Sequence, residues 1–112
     1  MFCVFCEIAK GAIPSKKIFE DDTILAIHDI SPQAPVHAII FPKAHVAEGA
    51  NDITEDNAGA IAHIFTKIPE IAGSLGLKSY RIINNCGADA GQSVPHIHFH
   101  LLGGVNMGDK LI

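Results

Sequence analysis

The chain has 112 residues, 48% of them apolar, enough for one core that buries about two-thirds of the surface an unfolded chain of this size exposes. Its 8 basic and 12 acidic residues leave a net charge of −4, which argues against a polyanion, and hence nucleic acid, as the main partner. No apolar run approaches the ~20 residues of a membrane span, no basic segment leads into an apolar one at the N-terminus, and an odd number of cysteines suits a reducing compartment, so a cytoplasmic protein is expected.

The first chemical feature along the chain is Cys3-Val4-Phe5-Cys6. C-x-x-C spacing lets two thiolates reach one metal ion, although a redox pair or two buried thiols explain it about as well. Three short strands follow, over 18–20, 23–29 and 37–41, punctuated by Asp21-Asp22 and by Ser31-Pro32-Gln33-Ala34-Pro35. A helix is expected from Asp52, where Asp52-x-x-Glu55 has the capping-box pattern, to Gly76. Ile61, Ile64, Phe65, Ile68, Ile71, Ala72 and Leu75 recur at three- and four-residue steps and give it an apolar stripe. Pro69 removes one helical hydrogen bond and is expected to kink or split it. A fourth strand is expected over 80–84.

The loop Asn84 to Val94 is rich in small residues, with backbone N–H groups open to an anion and with Asn85 and Ser93 as side-chain donors. It delivers the chain into a fifth strand, 96–102, where His96, His98 and His100 alternate with Ile97, Phe99 and Leu101. A strand points alternate side chains to opposite faces, so three imidazoles, each roughly 6.6–7 Å from the next, share one face while the apolar residues enter a core. No Walker-type or G-x-G-x-x-G loop occurs, so a phosphate would meet this loop and these histidines. The pattern predicts an α+β fold, an antiparallel sheet with one main helix packed on it, in an order the sequence does not reveal.

The run Gly91-Gln92-Ser93-Val94-Pro95-His96-Ile97-His98-Phe99-His100-Leu101-Leu102-Gly103-Gly104 resembles the signature of the histidine triad (HIT) proteins, and of their Hint branch in particular. His28 to His37 and Pro42-Lys43-Ala44-His45 fall where that branch has its nucleoside-binding strand and following turn. The likeness runs from residue 2 to about 104 of what reads as a single HIT domain, 1–112. The tail 105–112 departs from it and lacks the Trp-Pro ending of many Hint relatives.

The resemblance implies a HIT-like five-stranded sheet, a homodimer, and hydrolysis of purine nucleoside 5′-phosphoramidates through a nucleotidyl-histidine at His98. A neutral imidazole with one nitrogen held by a hydrogen bond offers the other as a nucleophile toward phosphorus. His100, Ser93 and the N–H groups of 91–94 would meet the phosphate, and His37 or His100 would deliver the proton to the leaving amine. Asp29 suits the ribose hydroxyls. Phe5, Phe19, Ile27 and Ile30 are candidates to enclose the base, or are plain core. The expected nucleotide-contacting set is therefore Phe5, Asp29, Ile30, Asn85, Gly91, Gln92, Ser93, Val94, His98 and His100. In zinc-containing relatives the ligands are a Cys pair, the His of the Pro-Lys-x-His turn and the first triad His, which here are Cys3, Cys6, His45 and His96. Other readings compete: a dinucleoside polyphosphate hydrolase, a module in which the triad itself holds a metal, and a nucleotide-binding interaction protein with weak turnover. His28 and His63 are expected to be surface or satisfied histidines, and Cys86 a small loop residue.

Overall fold

The computed structural model describes residues 2–112. Five strands form one antiparallel sheet: β1 (Lys17–Glu20), β2 (Ile24–His28), β3 (Val36–Pro42), β4 (Tyr80–Ile83) and β5 (Phe99–Gly103), in the order β1-β2-β3-β5-β4. Helix α1 spans Val4–Ala9 and helix α2 spans Ala58–Ser74. No helix among the described residues is long and apolar enough to cross a membrane.

The sheet has two apolar faces, as its alternating pattern requires. On one, Ile24, Ala26, Ala38, Ile40, Ile97, Phe99 and Leu101 meet Ile64, Ile68, Ile71 and Ala72 of α2. On the other, Leu25, Ile27 and Phe41 meet Phe5 and Ile8 of α1. Register fixes what shares the second face: Ile39 pairs with His100 and His37 with Leu102, so His37 and His100 stand as diagonal neighbours there.

Several boundaries differ from the sequence pattern. The helix begins at Ala58 because Asp52 is consumed in its own 3₁₀ turn, Ala50–Asp52, where its carboxylate accepts the Gly49 N–H at 3.2 Å. Asn57 then ties the start of α2 down, its Nδ2 donating to the carbonyls of Val46 and Asp52. Pro69 does not split α2. It lies on the exposed side, while the buried stripe holds the helix on the sheet. The helix ends in a Schellman turn, with Leu77 N–H donating to the Ala72 carbonyl at 2.9 Å and Gly76 at φ +74°.

Helix α1 was not expected, because six residues carry too little periodicity to announce a helix. The fifth strand begins at Phe99 and not His96. Pairing with β3 ends at Phe99, and the preceding residues instead bond to loops, Ile97 N–H to the Ala47 carbonyl at 3.0 Å and His96 N–H to the Val94 carbonyl at 2.9 Å. The alternation survives this irregularity, since Ile97 still enters the helix-side core.

Candidate active site

A cleft of about 410 Å³ opens between α1, β2, β5 and the loop before β5, lined by apolar Val4, Phe5, Ile8, Ile27, Ile30, Ile39 and Val94 and by polar His28, Asp29, Asn85, Ser93, His98 and His100. Its size and its mix of apolar wall with a few convergent polar groups are those of a small-molecule site. The cleft adjoins a larger apolar hollow of about 830 Å³ bounded by Ile13, Pro14, Ser15 and Lys16.

Of the residues expected to contact a nucleotide, Phe5, Asp29, Ile30, Asn85, Gly91, Ser93, Val94, His98 and His100 line this cleft. Gln92 does not: its amide turns toward Glu48 and away from the cleft. Phe19 packs against the helix-side core and cannot enclose a base here. Ile30 lies at the rim, 98% exposed.

Hydrogen bonds fix the chemistry of each histidine. In His98, Nδ1 lies 2.8 Å from the His96 carbonyl, so the ring donates from Nδ1 and Nε2 is left as the basic nitrogen. The ring is held edge-on against Phe5 at a centroid distance of 4.9 Å and against His100 at 5.3 Å. The Asn84 amide donates to the His98 carbonyl at 2.8 Å, continuing by side chain the β4–β5 ladder that stops at Ile83. That contact was not anticipated; only the adjacency of Asn84 to Asn85 hinted at it.

His37 accepts the Gln33 backbone N–H on Nδ1 at 3.0 Å, which puts its proton on Nε2. That nitrogen donates to His100 Nδ1 at 2.8 Å and lies 3.4 Å from the Asp29 carboxylate. His100 must then carry its own proton on Nε2. Burial lowers the pKa of both His37 and His100, so both rings are held neutral, and Asp29 partly offsets this at each. Asp29 also accepts the Ser31 N–H at 2.7 Å.

Two clusters bring metal-capable atoms within 4.8 Å of one another: Cys3, Cys6, His45 and His96, and Asp29, His37 and His100. The first fits an ion. His96 donates from Nε2 to the Pro42 carbonyl at 2.7 Å and turns Nδ1 to Cys3 Sγ at 3.4 Å and Cys6 Sγ at 3.6 Å, while His45 Nδ1 lies 3.4 Å from Cys6 Sγ. A tetrahedral ion with bonds of ~2.0–2.3 Å needs sulfur–nitrogen separations of roughly 3.5 Å. A carbonyl holding the far nitrogen of a ligating imidazole is the usual outer support of such a site. Burial and the neighbouring Cys3 push the Cys6 thiol up, opposite to the depressed pKa of a reactive redox thiol. The four residues could hold a metal ion.

The second cluster does not fit. Its His37 lone pair is spent on a backbone N–H, and the remaining nitrogen carries the proton that bonds His100. Nor do the three triad histidines form one metal centre, since His96 faces the cysteines, His98 the His96 carbonyl and His100 His37. His63 is satisfied by Asp21 at 2.7 Å and His28 is exposed, both as expected, and His28 also lines the cleft.

A family model described as HIT domain matches residues 10–107. Among solved structures, a HIT family hydrolase from Clostridium thermocellum superposes with a TM-score of 0.94 at 47% identity, covering 98% of this chain and 96% of that one. A HIT family hydrolase from Legionella pneumophila gives 0.90 at 45% identity, covering 95% and 96%. Protein pkiA of Dictyostelium discoideum is 44% identical over 107 residues, 93% of this chain and 84% of that protein.

Proposed function

The chain belongs to the HIT domain family, and from that premise we propose that it is a nucleotide hydrolase that cleaves purine nucleoside 5′-phosphoramidates through a nucleotidyl-histidine at His98. One observation carries this reading: the 2.8 Å bond from His98 Nδ1 to the His96 carbonyl leaves Nε2 as a lone-pair donor on a ring that lines the cleft. Nε2 attacks the α-phosphorus, the phosphorus–nitrogen bond to the amine breaks, and the departing nitrogen takes a proton from His100 Nε2. His37, donating to His100, steadies the tautomer that supplies it. Water then cleaves the histidine–phosphorus bond and releases the nucleoside monophosphate.

The Ser93 hydroxyl and the backbone N–H groups of Ser93 and Val94 face the phosphoryl oxygens, those of Gly91 and Gln92 being bonded to the Ala88 and Gly87 carbonyls; Asp29 faces the ribose hydroxyls, and Phe5, Ile8 and Ile27 the base. Dinucleoside polyphosphate hydrolysis would use the same attack with a different leaving group, and an interaction protein with weak turnover the same cleft. The two-cysteine, two-histidine donor set favours zinc, whose role at such a closed site is structural: it would join α1 to the segment before β5. The proposal extends to a homodimer, since β4 leaves an outer edge unpaired and carries the exposed Ile82.

The test is rapid quenching of the protein with an adenosine 5′-phosphoramidate of a primary amine, followed by mass spectrometry of the 96–104 peptide. An adenylyl adduct on His98 that forms and decays at the turnover rate is expected. Turnover without such an adduct, or an undiminished rate in His98→Ala, overturns the mechanism. Faster cleavage of a dinucleoside polyphosphate overturns the substrate assignment.

A further inference from the structure

One side chain shapes the loop that faces the phosphate without lining the cleft. The Gln92 carboxamide is engaged at both ends: Oε1 accepts the Gly87 N–H at 2.9 Å, and Nε2 donates to the carbonyls of Glu48 at 2.6 Å and Val94 at 3.1 Å. These contacts use both amide hydrogens and span the loop from its first glycine to the residue before Pro95. The approach is close, because a Cβ at Gly49 would lie 3.3 Å from Gln92 Oε1.

The segment on which Gln92 rests is itself tied to the catalytic chain. The Ala47 carbonyl accepts the Ile97 N–H at 3.0 Å, between His96 and His98. Gly49 N–H is in turn held by Asp52. A continuous path of bonds thus runs from the backbone beside the nucleophile through 47–49 to Gln92, and from Gln92 to both ends of the phosphate-facing loop. Gly87 and Gly91, both at φ +92°, let the loop close a turn of its own, with Ala90 and Gln92 N–H on the Gly87 carbonyl and Gly91 N–H on the Ala88 carbonyl, and the Gln92 side chain fastens that turn to residue 48. The Val94 carbonyl, bonded to Gln92 and to the His96 N–H, has its negative dipole occupied by donors of the protein.

We propose that Gln92 is a positioning residue that sets the anion-facing form of Gly91–Val94 by clasping the loop to residues 47–49, and that it does so without touching the substrate. The inference rests on the nucleotide reading above. Gln92→Met keeps length and volume but removes every bond. Gln92→Glu keeps an acceptor for Gly87 while turning both donors into acceptors that oppose two carbonyls.

Calorimetry with AMP and with adenosine, and amide hydrogen exchange at Gly87, separate the outcomes. In Gln92→Met, AMP affinity is expected to fall on the order of tenfold, the scale of one well-made charged hydrogen bond, with adenosine affinity within about twofold of wild type. Gly87 is expected to lose its exchange protection in the Met variant and to keep it in the Glu variant, which should lose AMP affinity all the same. Unchanged AMP affinity in Gln92→Met overturns the proposal. So does an equal loss for adenosine, which means a general distortion, and so does a loss of AMP affinity in Gln92→Met with Gly87 still protected, which means direct contact with phosphate. Wild-type protein that binds AMP no better than adenosine would sink the nucleotide reading itself, a result distinguishable from failure of the clasp.

Discussion

Removing the metal-capable cluster is expected to free α1 while leaving the sheet folded. Ordering the backbone of the six residues Val4–Ala9 costs about 6–12 kcal/mol. Burial of Phe5 and Ile8, 5% and 8% exposed, returns about 3–6 kcal/mol. The Glu7 N–H bond to the Cys3 carbonyl and the cap bond of Lys10 N–H to the Cys6 carbonyl each add about 0.5–1.5 kcal/mol. Gain and cost nearly cancel, so α1 by itself sits close to opening. An ion at a thousand times its dissociation constant adds about 4 kcal/mol, or roughly a 10³-fold lower population of the open form. Hydrogen exchange followed by mass spectrometry, on protein with and without a chelator and on the double variant Cys3→Ser/Cys6→Ser, measures this directly. Peptides covering 4–12 should lose about three orders of magnitude of protection while β2 and β3 keep theirs. Because Phe5 touches His98 and lines the cleft, AMP should bind more weakly to the same samples. Equal protection of α1 in all three samples would refute the reasoning.

The other predictions concern the cleft and the sheet edge. Asp29→Ala should weaken binding of a ribonucleotide and erase its advantage over a 2′,3′-dideoxynucleotide, read from competition for the same site; an intact preference would move the ribose elsewhere. Burial lowers the folded pKa of His37 and His100 below the ordinary value of about 6.5, so the stability and activity tied to their neutral forms are complete above that pH and fall away as pH drops through the lower folded values. The pH profile of kcat/KM should therefore show an acid limb below about 6.5, and Asp29→Asn, which removes the charge raising His37, should shift it to still lower pH. Sedimentation of wild-type protein should give twice the chain mass of 11.9 kDa, with Ile82→Lys at the single-chain mass; a wild-type monomer at micromolar concentration would contradict the shared β4 edge.

The sheet was legible because alternation is local: Ile97, Phe99 and Leu101 against His96, His98 and His100 announces two faces without knowledge of any partner strand. Strand order, by contrast, depends on which edges meet, and nothing in residues 96–102 says that β5 inserts between β3 and β4. The four metal-capable residues could be named through a family likeness, but C-x-x-C spacing alone left a redox pair equally open. The roles of Gln92 and Asn84 were illegible for a related reason. Each makes its decisive bond to a backbone carbonyl, and a carbonyl carries no residue identity that a sequence could display.

Because α2 covers one face of the sheet and the cleft occupies the other, selection acts on the two surfaces under separate rules. Exchanges among Ile40, Ile64, Ile68 and Phe99 are judged by volume alone, so compensating swaps can accumulate there without consequence for the chemistry. Phe5 and Phe41, with ring centroids 4.5 Å apart and both edge-on to His96, answer at once to packing and to the ion-capable cluster, and Phe5 also to the surroundings of His98. A randomised library on the helix side should return active clones at high frequency. The same library on the α1 side should return few, and laboratory evolution toward new leaving groups would find its tolerant background on the face remote from the substrate.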